Sequence, residues 1–273
     1  MNKMEKPINN PTRISVIMGI YNCAPTLAEA LDSLLAQSYQ GFKVIMCDDG
    51  SKDNTVDVAQ TYVNTYPDKF ILIKNERNMG LNHTLNHCLK YVDTEFVARM
   101  DGDDISLPNR FEEQLQFLDM HKKYSIVSTP MIYFDEKGEY RRGIGGYEVT
   151  NQTASTGPVF CHAPCMIRSE AYNAVGGYGE GKYLMRVEDV HLWYKLYAKG
   201  YKGYVLKEPL YAMRDDRNAV QRRKFKYRIN SFLVRWEWIP KVGLPKWRRL
   251  YAFYPIMVGL LPQPIYNILH KRK

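Results

Sequence analysis

The sequence predicts an α/β fold, a mostly parallel sheet flanked by helices, followed by a basic helical extension. Three observations carry this. Short, uncharged, β-branched runs alternate with helically spaced apolar residues through the first hundred positions. Most of those strands run straight into a polar or acidic cluster. Basic residues crowd the last fifth of the chain: from Arg217 on, 14 Lys or Arg face the single acid Glu237, whereas the rest holds 24 basic and 28 acidic residues. With 273 residues, 45% hydrophobic and 25% charged, the chain can form one large packed domain plus a smaller appendage.

Residues 14–20 read as a buried strand, and Pro25 is suited to the first turn of a helix in which Leu27, Ala30, Leu31, Leu34 and Leu35 share one face. A second apolar strand, 42–47, ends at Asp48 and Asp49, and Gly50 turns the chain into a helix over 54–66. A strand at 70–74, a helix at 80–91 and a strand at 95–100 complete the alternation. Strand and helix at this pace imply parallel strands with right-handed crossovers, and ligands bind beyond the carboxyl ends of such strands. Tyr21 and Asn22 stand there after the first strand, Asp48 and Asp49 after the second, and Asp101, Asp103 and Asp104 after the fourth.

The pattern then changes. A helix is expected at 108–121, and a strand pair at 124–134 and 139–142 joined by Asp135-Glu136-Lys137-Gly138. The stretch 143–158 reads as an irregular lid or acceptor loop, rich in Gly, Ser and Thr. A short strand at 165–167, helices at 169–175 and 187–199, and strands at 204–206 and 210–213 follow, with a long basic helix starting near Arg217.

Three acids in four positions, Asp101, Asp103 and Asp104, repel one another unless a cation joins them. A hard divalent ion, Mn²⁺ or Mg²⁺, suits such oxygen ligands together with substrate phosphates. The bland alternative, a solvated acidic turn, is disfavoured by the second acidic strand end at Asp48 and Asp49. Those two acids can accept hydrogen bonds from a base or ribose, or can belong to a helix entry capped by Asp53 or Asn54. Glu188 and Asp189 open an amphipathic helix, where acids serve either the helix dipole or proton transfer from an acceptor hydroxyl. His83 and His87 lie four apart with no intervening Glu and read as helix surface. A P-loop is missing, and so is Gly-x-Gly-x-x-Gly after the first strand, which disfavours P-loop and dinucleotide chemistry.

Together these segments resemble glycosyltransferase family 2, whose members have the GT-A fold. The resemblance rests on Val16-Ile17-Met18-Gly19-Ile20-Tyr21-Asn22, Ser33-Leu34-Leu35-Ala36-Gln37-Ser38-Tyr39, Asp48-Asp49-Gly50-Ser51, Asn78-Met79-Gly80-Leu81, Ala98-Arg99-Met100-Asp101-Gly102-Asp103-Asp104, Gly176-Gly177-Tyr178 and Glu188-Asp189-Val190-His191-Leu192-Trp193. The run on to Pro108, Arg110, Phe111 and Gln114 resembles bacterial exopolysaccharide and O-antigen transferases. The resemblance implies metal-dependent, inverting transfer of a hexosyl residue from a nucleotide sugar, a UDP-sugar above all, to a glycan or lipid-linked glycan. It implies a nucleotide site of Tyr21, Asp49, Asn78, Gly80, Arg99 and Asp101, metal ligation by Asp101 and Asp103, and Asp189 as catalytic base. With the charge division, it gives a tail (1–13), a catalytic domain (14–216) with nucleotide-binding (14–104) and acceptor-binding (105–216) halves, and a basic amphipathic helical region (217–273). The family often has Pro at Gly19 and Ala at Gly102, and the usual Arg after the closing Tyr is shifted here to Arg214. Roles for Glu188, His162 and Arg214, and the oligomeric state, stay open.

Residues 1–13 lack the apolar core of a signal peptide, so a cytoplasmic location is expected. Cys23, Cys47, Cys88, Cys161 and Cys165 are odd in number and irregularly spaced, as reduced thiols are; Cys161, His162 and Cys165 lack the further ligands of a structural zinc site. The apolar stretch 251–269 is interrupted by Pro255, Pro262 and Pro264 and flanked by Lys246, Trp247, Arg248 and Arg249 and by Lys271, Arg272 and Lys273. It suits the inner face of an anionic membrane rather than a spanning helix, with packing on the domain or a dimer as the other reading. Rival functions are a nucleotidyltransferase using the same aspartates and a nucleic-acid binder using the tail. The strand-end acids would repel phosphates in the latter, so no nucleic acid is expected.

Overall fold

The computed structural model describes residues 11–155, 159–215 and 224–261. Its first half follows the alternation: β1 (Ile14–Ile20), α1 (Ala24–Leu35), β2 (Phe42–Asp48), α2 (Thr55–Thr65), β3 (Phe70–Lys74), α3 (Leu81–Leu89) and β4 (Phe96–Arg99). These strands lie parallel in the order β3-β2-β1-β4. The period of two along β1 explains the layers. Ile14, Val16, Met18 and Ile20 join the core under α1 and α2, while Ile17 joins the opposite core, under α3.

Beyond β4 come β5 (Ile105–Ser106), α4 (Arg110–Met120), β6 (Ile126–Ser128), β7 (Met131–Asp135), β8 (Gly138–Arg142), β9 (Tyr147–Val149), α5 (Asn151–Ala154), β10 (Met166–Arg168), α6 (Ser169–Val175), α7 (Glu188–Ala198), β11 (Gly203–Val205) and β12 (Tyr211–Arg214). The main sheet continues as β4-β10-β6-β11-β9, with β10 antiparallel to both neighbours. A smaller sheet, β5-β12-β7-β8, stands beside it.

The expected single strand at 124–134 is instead two strands in different sheets. Pro130 has no N–H for a ladder, and the Thr129 hydroxyl donates to the Glu208 carbonyl (2.5 Å) while accepting from Leu210 N (2.9 Å). The strand expected at 210–213 belongs to the small sheet as well. Of the stretch 143–158, the described residues 143–155 are less irregular than their composition suggests: β9 pairs with β11, and a capping box of Thr150 and Thr153 starts α5. Only edge pairing made that strand, which polar composition hides.

The C-terminal extension supplies α8 (Phe225–Trp238), a 3₁₀ segment (Lys246–Phe253) and α9 (Tyr254–Leu260). The expected helix start at Arg217 and the prolines 262 and 264 lie outside the described residues. Val234, Ile239, Val242, Leu244 and Ala252 join the core that includes Trp193 and Leu196 of α7. No helix among the described residues is long and apolar enough to cross a membrane.

Candidate active site

The carboxyl ends of β1 and β2 are stitched together. Asn22, in the left-handed region (φ 49°), accepts from Lys52 N (2.7 Å) and donates its own N–H to Ser51 Oγ (3.0 Å). Asp48 turns inward on its own loop, accepting from Gly50 N and Ser51 N. Asp53 rather than Asn54 serves the entry to α2, accepting from Thr55 N (3.1 Å) and from the Thr55 hydroxyl (2.6 Å).

Asp49 is only 5% exposed. It accepts from Asn75 Nδ2 (2.8 Å), Met79 N (2.8 Å) and Gly80 N (2.9 Å). A carboxylate offers about four acceptor positions, so one remains for a ligand. Asn75, at the end of β3, also donates to Thr84 Oγ1 (3.1 Å) and meets His87 Nδ1 (2.9 Å). The sequence reading passed over Asn75, although it follows the third strand, where the strand-end rule directs attention. Gly50 lets the two loops touch: at φ 78°, a Cβ there would lie 2.9 Å from Asn78 N.

These loops floor a cavity of about 650 Å³, lined by Tyr21, Asp49, Asn78 and Gly80 on one side and by Lys182, Arg186 and Glu188 on the other. That size suits a nucleotide sugar. His83 also lines it and His87 is tied to Asn75, so the two histidines face inward rather than forming helix surface. Arg186 is held at φ 63°, strained for a side-chain-bearing residue, beside the Glu188 turn. The segment that leads into Lys182, Arg186 and Glu188 begins at the left-handed Gly176 and Gly177 and is anchored by Asn86, which donates to the Tyr178 carbonyl (2.9 Å) and accepts from Tyr178 N (2.8 Å).

The acidic turn after β4 carries Asp101, Asp103 and Asp104, each offering an oxygen within 4.8 Å of the others. Two are anchored. Arg99, itself buried, grips Asp101 through both terminal nitrogens (Nη1 to Oδ2, 2.6 Å). Asp104 accepts from the Tyr211 hydroxyl (2.9 Å) and Arg214 N (2.9 Å). Arg214 also donates from Nε to the Asp103 carbonyl (3.1 Å) and pairs with Glu29, so it braces the turn. The exposed Asp103 is held above its ordinary value by desolvation of the turn and by the Asp101 charge. Three oxygens converging beside one anchoring arginine fit a hard divalent cation. Gly102 lies against the first loop: a Cβ there would lie 2.9 Å from Cys23 Sγ.

Glu188 and Asp189 enter from the first turn of α7. Burial and then Asp189 push Glu188 up to about 7. Burial also raises Asp189, while its hydrogen bond from Val190 N (2.7 Å) and the Arg99 charge pull it back. Arg99 acts in the same sense on Asp103, Glu188 and Asp189, so acids from two distant segments share one guanidinium field. His162 is packed away: burial and Arg99 hold it well below its usual value, and Nε2 meets the Tyr178 hydroxyl at 2.7 Å. All five cysteines are free.

Residues 15–176 match the family described as Glycosyl transferase family 2. The chain is 38% identical over 266 residues to the putative glycosyltransferase EpsE of Bacillus subtilis, covering 97% of this chain and 96% of that protein. It is 29% identical over 269 residues to the amylovoran biosynthesis glycosyltransferase AmsE of Erwinia amylovora, covering 94% and 98%. Its fold is similar to S. aureus TarS 1–349 in complex with UDP, with TM-score 0.70 and 20% identity, covering 93% of this chain and 74% of that one. A longer TarS chain is covered over 43% of its length. On this evidence the nucleotidyltransferase reading gives way, and the protein belongs to glycosyltransferase family 2.

Proposed function

We propose that this enzyme transfers a hexosyl residue, with inversion, from a nucleoside-diphosphate sugar, a UDP-sugar above all, to a hydroxyl of a glycan or lipid-linked glycan in bacterial surface polysaccharide synthesis. One observation supports this most. The ends of β1 and β2, the turn before α3 and the first turn of α7 line a single cavity of nucleotide-sugar size. The UDP in the TarS structure and the amylovoran role printed for AmsE point the same way.

In this reading Tyr21, Asp49, Asn78 and Gly80 receive the nucleoside, and Arg99 fixes Asp101 toward it. Asp101 and Asp103, with Asp104 behind them, would hold Mn²⁺ or Mg²⁺. When bound, the ion supplies positive charge against the leaving diphosphate. Asp189 takes the acceptor proton as the acceptor oxygen bonds to the anomeric carbon and the bond from that carbon to the diphosphate breaks. Its raised proton affinity suits a base working near neutrality. Holding both oxygens in line supplies much of the remaining acceleration.

The extension fits a peripheral seat on the cytoplasmic face of an anionic membrane. Phe225, Ile229, Leu233 and Trp236 form one exposed stripe along α8, and Trp247, Leu250, Tyr254 and Met257 continue the apolar exposure. Lys224, Lys226, Arg235, Lys241, Lys246, Arg248 and Arg249 lie in the same segment of chain.

A panel of nucleotide sugars, scored for donor hydrolysis and transfer with and without Mn²⁺, tests the activity. Asp189→Asn is expected to retain nucleotide binding and lose transfer at least a hundredfold; near wild-type turnover would remove Asp189 from the base role. Ile229→Ser with Trp236→Ser is expected to reduce sedimentation with phosphatidylserine vesicles. Unchanged sedimentation would refute the membrane seat.

A further inference from the structure

One wall of the cavity is built by the chain between α6 and α7, where Glu180, Gly181, Lys182, Met185 and Arg186 line it before Glu188 opens α7. These residues and α8 lie beyond the stretch 15–176 that matches the family. The start of this segment is tied to α3: Asn82 donates to the Gly179 carbonyl (2.7 Å) and Asn86 to Glu180 Oε1 (2.9 Å). Its middle is held differently. A 3₁₀ turn (Lys182–Leu184) keeps its bonds within the segment, from Leu184 N to the Gly181 carbonyl (3.0 Å) and from Val187 N to the Leu184 carbonyl (3.2 Å). Among the described residues, the side chain that hydrogen-bonds to 181–186 from another element is Asn230 of α8. Its Nδ2 donates to the Met185 carbonyl (3.0 Å), 45 positions away in sequence.

Asn230 is 9% exposed and shares the inner face of α8 with Val234, one turn on. Asparagine is a weak helix former, and an amide buried without a partner is costly. The bond to Met185 accounts for its place inside a helix. α8 has other means of staying seated: Trp238 meets His191 of α7 edge to face, with ring centroids 5.1 Å apart, and Val234 and Ile239 join the core around Trp193. The carbonyl that Asn230 holds belongs to the peptide that joins Met185 to Arg186, and the orientation of that planar unit sets the Arg186 φ of 63°. A left-handed arginine persists only where its surroundings over-determine it. Releasing the Met185 carbonyl frees this peptide to turn, and Arg186 relaxes toward an ordinary negative φ that aims its side chain elsewhere.

We propose that Asn230 is a positioning residue for the donor: by holding the Met185 carbonyl it keeps Arg186 on the cavity wall, so that the C-terminal extension completes the site at which, in the reading above, the nucleotide sugar binds. Asn230 acts through Met185 and takes no part in bond making.

The test compares the wild type with Asn230→Leu, which keeps the side-chain volume and favours the helix but cannot donate, and with Asn230→Ala, which adds no atoms to be accommodated. KM and kcat are measured with the UDP-sugar that the panel identifies, together with acceptor KM, equilibrium binding of that UDP-sugar, and amide hydrogen exchange. Both variants are expected to raise donor KM and the donor dissociation constant about 3- to 10-fold, the worth of one neutral hydrogen bond. kcat and acceptor KM stay within about twofold, and exchange quickens at the amides of 182–187 but not in β1, β2 or β4. Donor KM and binding unchanged in both variants would overturn the inference, and so would unchanged exchange at 182–187. A loss of kcat and acceptor affinity alongside donor affinity, with faster exchange throughout the domain, would also overturn it by showing a merely structural role. Unchanged UDP-sugar binding in Tyr21→Ala would instead defeat the reading of the cavity as the donor site and leave the exchange result standing, so the two failures are separable.

Discussion

Gly102 sits between the two proposed metal ligands, and its surroundings make a quantitative prediction. A methyl group added there meets Cys23 Sγ at 2.9 Å, with Ile20 Cγ2 at 3.4 Å and Leu27 Cδ1 at 3.6 Å behind it. The backbone is compatible with a side chain, so Gly102→Ala gains about 0.4–1 kcal/mol through the unfolded state. Overpacking costs about 1–3 kcal/mol, because the thiol must rotate away or the turn must lift by several tenths of an ångström. The net expectation is a loss of about 1–2 kcal/mol, a midpoint shift of about 2–6 °C for a domain of this size. Cys23→Ala alone leaves a small void, at about 1 kcal/mol. In the double variant the alanine methyl fills the space vacated by sulfur, so the two losses largely cancel, with a coupling of at least ~1 kcal/mol. Thermal and urea unfolding of the four proteins give the cycle, and Mn²⁺-dependent UDP affinity should fall in Gly102→Ala and recover in the double variant. Additive losses within ~0.3 kcal/mol would refute the claim that the Cys23 thiol and a methyl group at position 102 compete for one volume.

Other expectations follow from the site. Asp49→Asn keeps one acceptor oxygen but sets an amide N–H₂ against Gly80 N–H or Met79 N–H, so urea unfolding should show a loss of about 1.5–3 kcal/mol even without nucleotide; a loss below ~0.5 kcal/mol would show that the three hydrogen bonds are dispensable. Glu188 is raised from 4.5 to about 7, so its charged form is the disfavoured one in the fold. The stability it leaves intact below pH 4.5 is therefore lost as pH rises through 7, up to ~3 kcal/mol before allowance for its partial exposure. Glu188→Gln should flatten the stability profile between those limits, and an unchanged slope would count against the shift. Asp103→Ala should weaken Mn²⁺-dependent UDP binding at least tenfold while leaving metal-free binding alone; equal affinity with and without the ion would remove Asp103 from the metal site.

Much of this fold was legible because local physics and tertiary burial agree in its first hundred residues. β1 and β2 are buried on both faces, so their sequences are near-continuous apolar runs, and α1 shows its buried face in Leu27, Leu31 and Leu34. The acids at strand ends stood out because nothing in a core tolerates them unpaired. The edge strand β9 was not legible, since it depends on which strand happens to lie alongside; Pro130 marked a break through its missing N–H, but not that the two halves enter different sheets.

The sequence alone established the alternation, the strand-end acids and the charge division, because each follows from residue type and spacing within a few turns of chain. Tertiary structure decided which of those acids are already spoken for: Asp48 closes its own loop, Asp101 is gripped by Arg99, Asp104 is held by Tyr211 and Arg214, and Asp103 stays exposed. It also set Arg99 in one field with acids some ninety residues away. Hydrogen-bond partnership and electrostatic proximity are properties of distance in space, and chain spacing carries no record of them once segments so far apart are brought together by the sheet.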